Sequence, residues 1–187
     1  MFALSSIQKV YPINLISGRT INGMFADSSI ANAYLYNYDL SPATPKSSSD
    51  AFLGCDNINA IRLKYASSLT LGYLCPNTPV REIITDGANI STSSGVQLAY
   101  GSNYLRRVVL KNVSSSFNGN VSSNSASGTG QCLSPEALNE LYQTLATVGA
   151  SGSDSRFVYN LLGHWGYSQS LTGIAKSKGW NVNSILP

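Results

Sequence analysis

The apolar residues of this chain recur at a fixed spacing. An apolar anchor is followed six, nine and eleven residues later by further apolar or small residues, in the form LxxLxL. Successive anchors lie 23, 28, 22 and 25 residues apart, which is within the range of known structural repeat units. The five anchors are Met1, Met24, Phe52, Leu74 and Ala99, and the residues that follow them are Ile7, Val10 and Pro12; Ile30, Ala33 and Leu35; Ile58, Ile61 and Leu63; Val80, Ile83 and Thr85; and Leu105, Val108 and Leu110.

Each of these segments is predicted to be a short β-strand. Alternate side chains of a strand point to the same face, so the last two apolar positions of each segment turn inward together. A unit of this length cannot bury its apolar edge alone, and stacking of three or more parallel units supplies the core. The pattern therefore predicts a repeat solenoid with short parallel β-strands and irregular turns. The alternative is a set of independent β-hairpins with coincidental spacing.

The periodicity changes after residue 113. The run SSSFNGNVSSNSASGTGQ at 114–131 is almost entirely small and polar, and it predicts a surface loop rather than a strand. In LSPEALNELYQTLATV, apolar residues recur at intervals of three and four residues, which predicts a helix. Ser134 and Pro135 are typical of the start of a helix. Then RFVYNLL predicts a strand, SQSLTGIAKSK a short helix that ends at Gly179, and WNVNSI a last strand.

These elements predict an α/β repeat solenoid with a helix-containing C-terminal cap. We expect one domain over residues 1–187, with five repeats in 1–113, a polar loop in 114–131 and closing units in 132–187. The run YDLSPATPKSSSD explains the longest repeat spacing as a turn-rich insertion. Because the first repeat begins at Met1, we also expect another subunit or segment to cover that end.

The segments AFLGCDNINAIRLK and MFADSSIANAYLYN resemble the degenerate leucine-rich repeats of bacterial surface proteins, the BspA-like group. The resemblance covers roughly residues 1–113, and the closing units resemble the terminal units of phage and surface proteins of this kind. It implies a leucine-rich-repeat-like fold and a function outside cells. The chain departs from the family at the ninth position of LxxLxLxxN, where the expected Asn is replaced, although Asn14, Asn37 and Asn112 stand one residue earlier. The replacing residues are Leu15, Tyr38, Ala66, Ala88 and Val113.

The positions that flank the inward residues predict an exposed surface, here called the outward strand face. Its tyrosines gather towards the first repeats and its charges towards the later ones. Tyrosine suits protein or glycan contacts, because it offers area and a hydroxyl at a low entropic cost. The alternative is a solvated sheet surface without a partner. The residues assigned to this face are Lys9, Tyr11, Asn32, Tyr34, Tyr36, Arg62, Lys64, Glu82, Asp86, Arg107 and Lys111.

The sequence offers little that is typical of an enzyme. The single histidine, His164 in GHWGY, has no accompanying catalytic motif, and we expect a structural or ligand-contacting role. Glu82 and Asp86, on one strand, would be about 13 Å apart, beyond the ~6.5–9.5 Å of an inverting glycosidase pair. Cys55 and Cys75 belong to no CxxC or His/Cys cluster and are predicted to be buried thiols. We expect no metal, no cofactor and no catalytic residue.

Composition limits the classes of function that fit this chain. Charged residues are 11% of the chain, against about a quarter in a typical soluble domain. The net charge of +3 is too small to indicate nucleic-acid binding, and no apolar run approaches the ~18 residues of a membrane span. The sequence also lacks a visible secretory signal. We therefore expect a phage virion component that contacts other virion proteins or copies of itself, or else a bacterial surface adhesin that binds a host protein or glycan; a polysaccharide-acting enzyme is the third hypothesis.

Overall fold

The computed structural model describes residues 3–10, 23–38, 51–65, 69–71, 74–75, 78–92, 104–113, 118–120, 133–147, 157–159 and 164–183. These residues form an α/β fold, as predicted, and it is compatible with a repeat architecture. The strands are β1 (Lys9–Val10), β2 (Asn32–Tyr38), β3 (Ala60–Tyr65), β4 (Leu69–Leu71), β5 (Glu82–Thr92), β6 (Arg107–Val113), β7 (Asn118–Asn120), β8 (Phe157–Tyr159) and β9 (Asn181–Asn183). The helices are α1 (Pro135–Thr144) and α2 (Thr172–Ser177), with a 3₁₀ helix at Tyr167–Gln169 before α2.

All strand pairs among the described residues are parallel, which confirms the predicted direction. The first sheet has the order β1-β2-β3-β5, with β4 and β6 also pairing with β5, and the second has the order β7-β8-β9. The strand register is the one that the LxxLxL spacing predicts. Val10, Ala33, Ile61, Ile83 and Val108 form one row across the first sheet, and Leu35, Leu63, Thr85 and Leu110 form the next.

The described side chains of these two rows make up the sheet's part of the core. Ile61 and Ile83 have no exposed surface, and Leu63 is only 1% exposed. Thr85 is also fully buried, and its Oγ1 has no hydrogen-bond partner among the described residues. An unsatisfied hydroxyl of this kind lowers stability by about 1–3 kcal/mol, so Thr85 is a weak point of an otherwise apolar row.

The turns before the strands stack in a register that differs by one residue from the predicted one. The spacing aligned Met24 with Phe52, but the ring that stacks on Phe52 is that of Phe25, with a centroid separation of 5.2 Å. The thiol of Cys55 then donates to the carbonyl of Phe25 at 2.9 Å. Compared with the preceding unit, this unit has one extra residue between Cys55 and Ile58, so the strands that follow are again in the predicted register. The LxxLxL pattern therefore located the strands correctly and the turns less well.

The prediction that 114–131 contains no strand is wrong for residues 118–120. Asn118 and Asn120 have a low intrinsic preference for strands, and Gly119 has even less. They form β7 because the apolar strand β8 supplies a parallel partner, pairing Asn118 with Phe157 and Asn120 with Tyr159. The long-range partner therefore outweighs the local preference. The rest of 114–131 lies outside the described residues, as does 39–50 within the predicted insertion.

Helix α1 begins as predicted. Ser134 is the N-cap, and its side chain accepts a hydrogen bond from the backbone N–H of Ala137. The stripe of Leu138, Leu141 and Tyr142 is buried in the core, and the helix packs against β6. The helix thus lies beside the last strand of the first sheet, where the closing units were predicted.

The C-terminal end of α1 is capped by a lysine from outside the helix. The last turn of α1 has no basic residue of its own. Lys178, which follows α2, donates through Nζ to the carbonyls of Tyr142 at 3.2 Å, Leu145 at 2.9 Å and Gln143. A cation near the carbonyl end of a helix is favourable because these carbonyls carry the negative end of the helix dipole. Gly179, with a φ of +88°, then ends the segment as predicted.

Replacing Lys178 with methionine should lower the free energy of unfolding by about 2 kcal/mol. Methionine retains the apolar stem but leaves three carbonyls without a charged donor, and two of them, those of Tyr142 and Leu145, are partly buried. Lys176→Met is the matched control, because Lys176 is exposed and should change stability by less than about 0.5 kcal/mol. Urea denaturation followed by circular dichroism measures both. Equal effects of the two substitutions would contradict the capping role.

Candidate functional site

The structure places the described part of the outward strand face in rows that cross the strands. One row joins Asn32, Ala60, Glu82 and Arg107. The next joins Tyr34, Arg62, Ile84 and Val109, and a third joins Lys64, Asp86 and Lys111. Tyr11 lies outside the described residues, as do the side chains of Lys9, Tyr36 and Lys64.

Glu82 is the centre of a network of ion pairs on this face. Its Oε1 accepts from Nε of Arg62 at 2.8 Å and lies 2.7 Å from Nη2 of the same residue. Its Oε2 accepts from Nη1 of Arg107 at 2.9 Å. Each carboxylate oxygen therefore binds a different arginine, one from the strand on either side.

Arg107 extends the network to helix α1. Its Nε donates to Glu140 Oε2 at 2.9 Å, and its Nη2 donates to Oε1 of the same carboxylate at 2.5 Å. This two-point contact lowers the pKa of Glu140 and raises that of Arg107, since both partners are held in their charged forms. The helix is thereby attached to the outward strand face by a charged contact as well as by its apolar stripe.

Tyr34 forms the other end of the network. The guanidinium carbon of Arg62 lies 4.9 Å from the centroid of the Tyr34 ring, which is a cation–π distance. Tyr34 and Arg62 are cross-strand neighbours, so the predicted tyrosine end and charged end of the face meet at this contact. The side chains of Arg62 and Arg107 are 39% and 43% exposed, so each pair adds less than about 1 kcal/mol to stability. Their main effect is to fix the side chains in one arrangement.

The sequence prediction missed four residues of this surface. Ala60, Ile84 and Val109 occupy outward positions. Because alternate residues of a strand share a face, counting two residues on from Glu82 and Arg107 would have found Ile84 and Val109. Val109 is 2% exposed although it is not part of the inward core. Glu140 comes from a helix 33 residues after Arg107, and no local pattern could have linked the two.

His164 is buried against the start of α1. Its side chain is 2% exposed, and its Nδ1 accepts a hydrogen bond from the backbone N–H of Leu133 at 3.2 Å. Burial lowers its pKa to about 4, so the imidazole is neutral at pH 7. The predicted structural role fits this position.

Cys55 and Cys75 are buried, as predicted. Burial raises the pKa of the Cys55 thiol and raises that of Cys75 to about 12, so neither is a thiolate at neutral pH. Within the described ranges, no three His, Cys, Asp or Glu residues are grouped so that they could hold a metal ion. Among the described helices, none has the length and apolar character needed to cross a bilayer.

No protein-family model matches the chain, and no curated protein or solved structure is significantly similar to it. The network from Tyr34 to Glu140 is therefore the feature from which a function can be argued.

Proposed function

We propose that this chain is a leucine-rich-repeat-like solenoid that acts as a non-enzymatic structural protein of a phage virion, where its outward strand face binds other virion proteins. The observation that carries this proposal is the connected network of Tyr34, Arg62, Glu82, Arg107 and Glu140 on that face. A tail, baseplate, fibre or head-decoration role would use such a surface in the same way.

The network favours binding because it fixes the side chains before a partner arrives. Tyrosine and arginine contribute strongly to protein interfaces, and their contribution is largest when little side-chain entropy is lost on binding. Arg62 is held between the Tyr34 ring and the Glu82 carboxylate, yet its side chain remains 39% exposed. The network therefore offers an ordered, amphipathic surface in which two arginines are balanced by two glutamates.

The same network offers poor support for catalysis. A general acid in glycoside hydrolysis needs a carboxyl group whose pKa is raised. The pKa of Glu140 is lowered by Arg107, and both oxygens of Glu82 bind arginines. For this reason the proposal assigns these carboxylates to positioning, and the polysaccharide-acting enzyme ranks last.

A bacterial surface adhesin is the second candidate, with an extracellular location. Trp165 and Tyr104 are both 53% exposed, and exposed aromatic rings suit glycan or host-protein contacts. Neighbouring genes discriminate the candidates, since morphogenesis genes favour the virion and an export or anchoring signal on a longer chain favours the adhesin. Particles that contain the protein would support the first.

Tyr34→Ala should lower incorporation of the protein into purified particles by at least about tenfold, because a central interface tyrosine contributes more than about 1.4 kcal/mol. The thermal midpoint should change by less than roughly 3 °C, since Tyr34 is only half-buried. Tyr34→Phe is the matched control, because it retains the ring under Arg62. The double variant with Tyr36→Ala tests the next outward position.

Quantitative mass spectrometry of the particles measures the incorporated fraction. A loss of stability as large as the loss of incorporation would show that Tyr34 is part of the core. A protein that is absent from particles even with its native sequence would refute the virion role.

A further inference from the structure

Two arginines, Arg81 and Arg106, occupy the same position in adjacent units, immediately before β5 and β6. The backbone N–H of Arg106 donates to the carbonyl of Arg81 at 2.8 Å, so the two residues are neighbours across the units. Neighbouring strands lie about 4.8 Å apart, which places two cationic side chains on adjacent segments of backbone. Both side chains are exposed. These two residues are here called the arginine pair.

No carboxylate among the described residues forms an ion pair with either of them. The ion pairs within the described ranges all involve other arginines. Glu82 follows Arg81 directly, but both of its oxygens already bind those other arginines. Arg106 donates through Nη1 to the carbonyl of Leu105 at 3.1 Å, a contact that positions the side chain and leaves its charge uncompensated. Like charges on facing strands are destabilising, so the described fold retains a repulsive pair on its surface.

The surroundings of the arginine pair favour a protein ligand over a long polyanion. The same position in the earlier units holds Gln8, Ala31 and Asn59, which are all neutral. A nucleic acid or a sulfated polysaccharide that followed this row would leave most of its charges unpaired. Tyr104, two residues before Arg106, adds an exposed aromatic ring to the same turn. Tyrosine and arginine are both enriched where proteins contact each other.

We propose that the arginine pair binds an acidic segment of a partner protein, which places aspartate or glutamate side chains against Arg81 and Arg106. A guanidinium group presents its N–H donors in a planar fork that matches a carboxylate, so each arginine is suited to a two-point contact. The partner's carboxylates also offset the repulsion between the two arginines.

The inference deepens the proposed function and rests on it, because it specifies the charge of the partner surface. Arg81 and Arg106 directly precede Glu82 and Arg107 of the ion-pair network. The acidic segment would therefore border the outward strand face. The network itself has its carboxylates and guanidinium groups paired with one another, so the arginine pair supplies the charge that selects an acidic partner.

Titration of the whole chain with a hexaglutamate peptide tests this preference without a particle. An NMR titration suits the purpose, because contacts between exposed charges are individually weak. At about 50 mM salt the native chain should bind hexaglutamate and should not measurably bind hexaglutamine. Raising the salt to about 0.5 M should weaken the binding at least about threefold, because exposed charges are then screened.

Arg81→Gln and Arg106→Gln should each weaken hexaglutamate binding at least about threefold, and the double variant at least about tenfold. Lys176→Gln is the matched control, because Lys176 is an exposed cation on α2 and its loss changes the net charge equally. It should change binding by less than about 1.5-fold. The thermal midpoint of each arginine variant should stay level or rise by up to about 2 °C, since the repulsion is removed.

A native chain that does not bind hexaglutamate would overturn the proposal, as would equal binding by the native chain and the double variant. Tighter binding of a hexathymidylate oligonucleotide or of an oligogalacturonate, lost in the same double variant, would assign the arginine pair to a phosphate backbone or an acidic glycan and exclude the protein partner. Incorporation into particles that depends on Tyr34 would survive each of these results. Hexaglutamate binding would likewise survive a failure of the virion role, so the two proposals can fail separately.

Discussion

Replacing Gly166 with alanine should destabilise the protein by about 3 kcal/mol, which corresponds to a fall of roughly 10 °C in the thermal midpoint. A Cβ at this position would lie 2.2 Å from the backbone nitrogen of Pro135 and 2.3 Å from the carbonyl carbon of Ser134. Both atoms belong to the start of α1, where Ser134 caps the helix and Pro135 is its first residue. Backbone atoms at a capped helix start cannot rotate away, so the clash must be relieved by moving the helix.

Gly173 supplies the control. A Cβ at Gly173 would meet nothing within 4 Å, and Gly173 lies inside α2. Alanine is favoured over glycine within a helix, so Gly173→Ala should raise stability by up to about 1 kcal/mol. Thermal unfolding by circular dichroism measures both variants. A Gly166→Ala protein as stable as the native one would show that the 164–166 turn does not hold α1.

Acidification from pH 7 to pH 4 should lower the free energy of unfolding by about 3 kcal/mol through His164 alone. The folded-state pKa is about 4, whereas the ordinary value is 6.5. Between these values the unfolded chain binds a proton that the folded chain does not, so lower pH favours unfolding. The stabilisation is complete above pH 6.5 and is lost as the pH falls towards 4.

The geometry at His164 gives the same sign. Its Nδ1 accepts the N–H of Leu133, and a protonated Nδ1 would turn a second donor towards that N–H. His164→Asn is the informative variant, because an amide oxygen can accept the same hydrogen bond without titrating. Urea unfolding at several pH values should show a shallower slope between pH 4 and 6.5 for His164→Asn than for the native protein. The pKa of Glu140 is lowered from its ordinary value of 4.5, so its contribution is lost as the pH falls below about 5, and the slope between pH 5 and 6.5 reports His164 without it.

The inward rows of the first sheet could be predicted from the sequence because a strand has a period of two. Ile61 and Leu63 needed only a local pattern, and so did the start of α1, where a serine cap and a proline precede an apolar stripe. Predicting the stacking of Phe25 on Phe52 would have required the length of the turn, which side-chain periodicity does not specify.

The candidate site was predictable only in part. Arg62, Glu82 and Arg107 were placed on one face by register, but the identity of their partners depends on which strands are adjacent and on where α1 lies. Glu140 and Lys178 are joined to their partners across 33 to 36 residues of chain. Contacts over such distances are set by the packing of the whole domain, and β7 formed for the same reason.

The position of Lys178 also has a consequence for the order in which the chain is made. Translation completes α1 well before it reaches the lysine that binds the carbonyls of Tyr142 and Leu145, and before Trp180, whose Nε1 donates to the carbonyl of Ala146 at 2.8 Å. The C-terminal end of α1 therefore becomes stable only once residues 178–180 have been synthesised. A nascent chain arrested before residue 178 would hold a helix with a frayed end, so the C-terminal end of α1 and residues 178–180 should become ordered together.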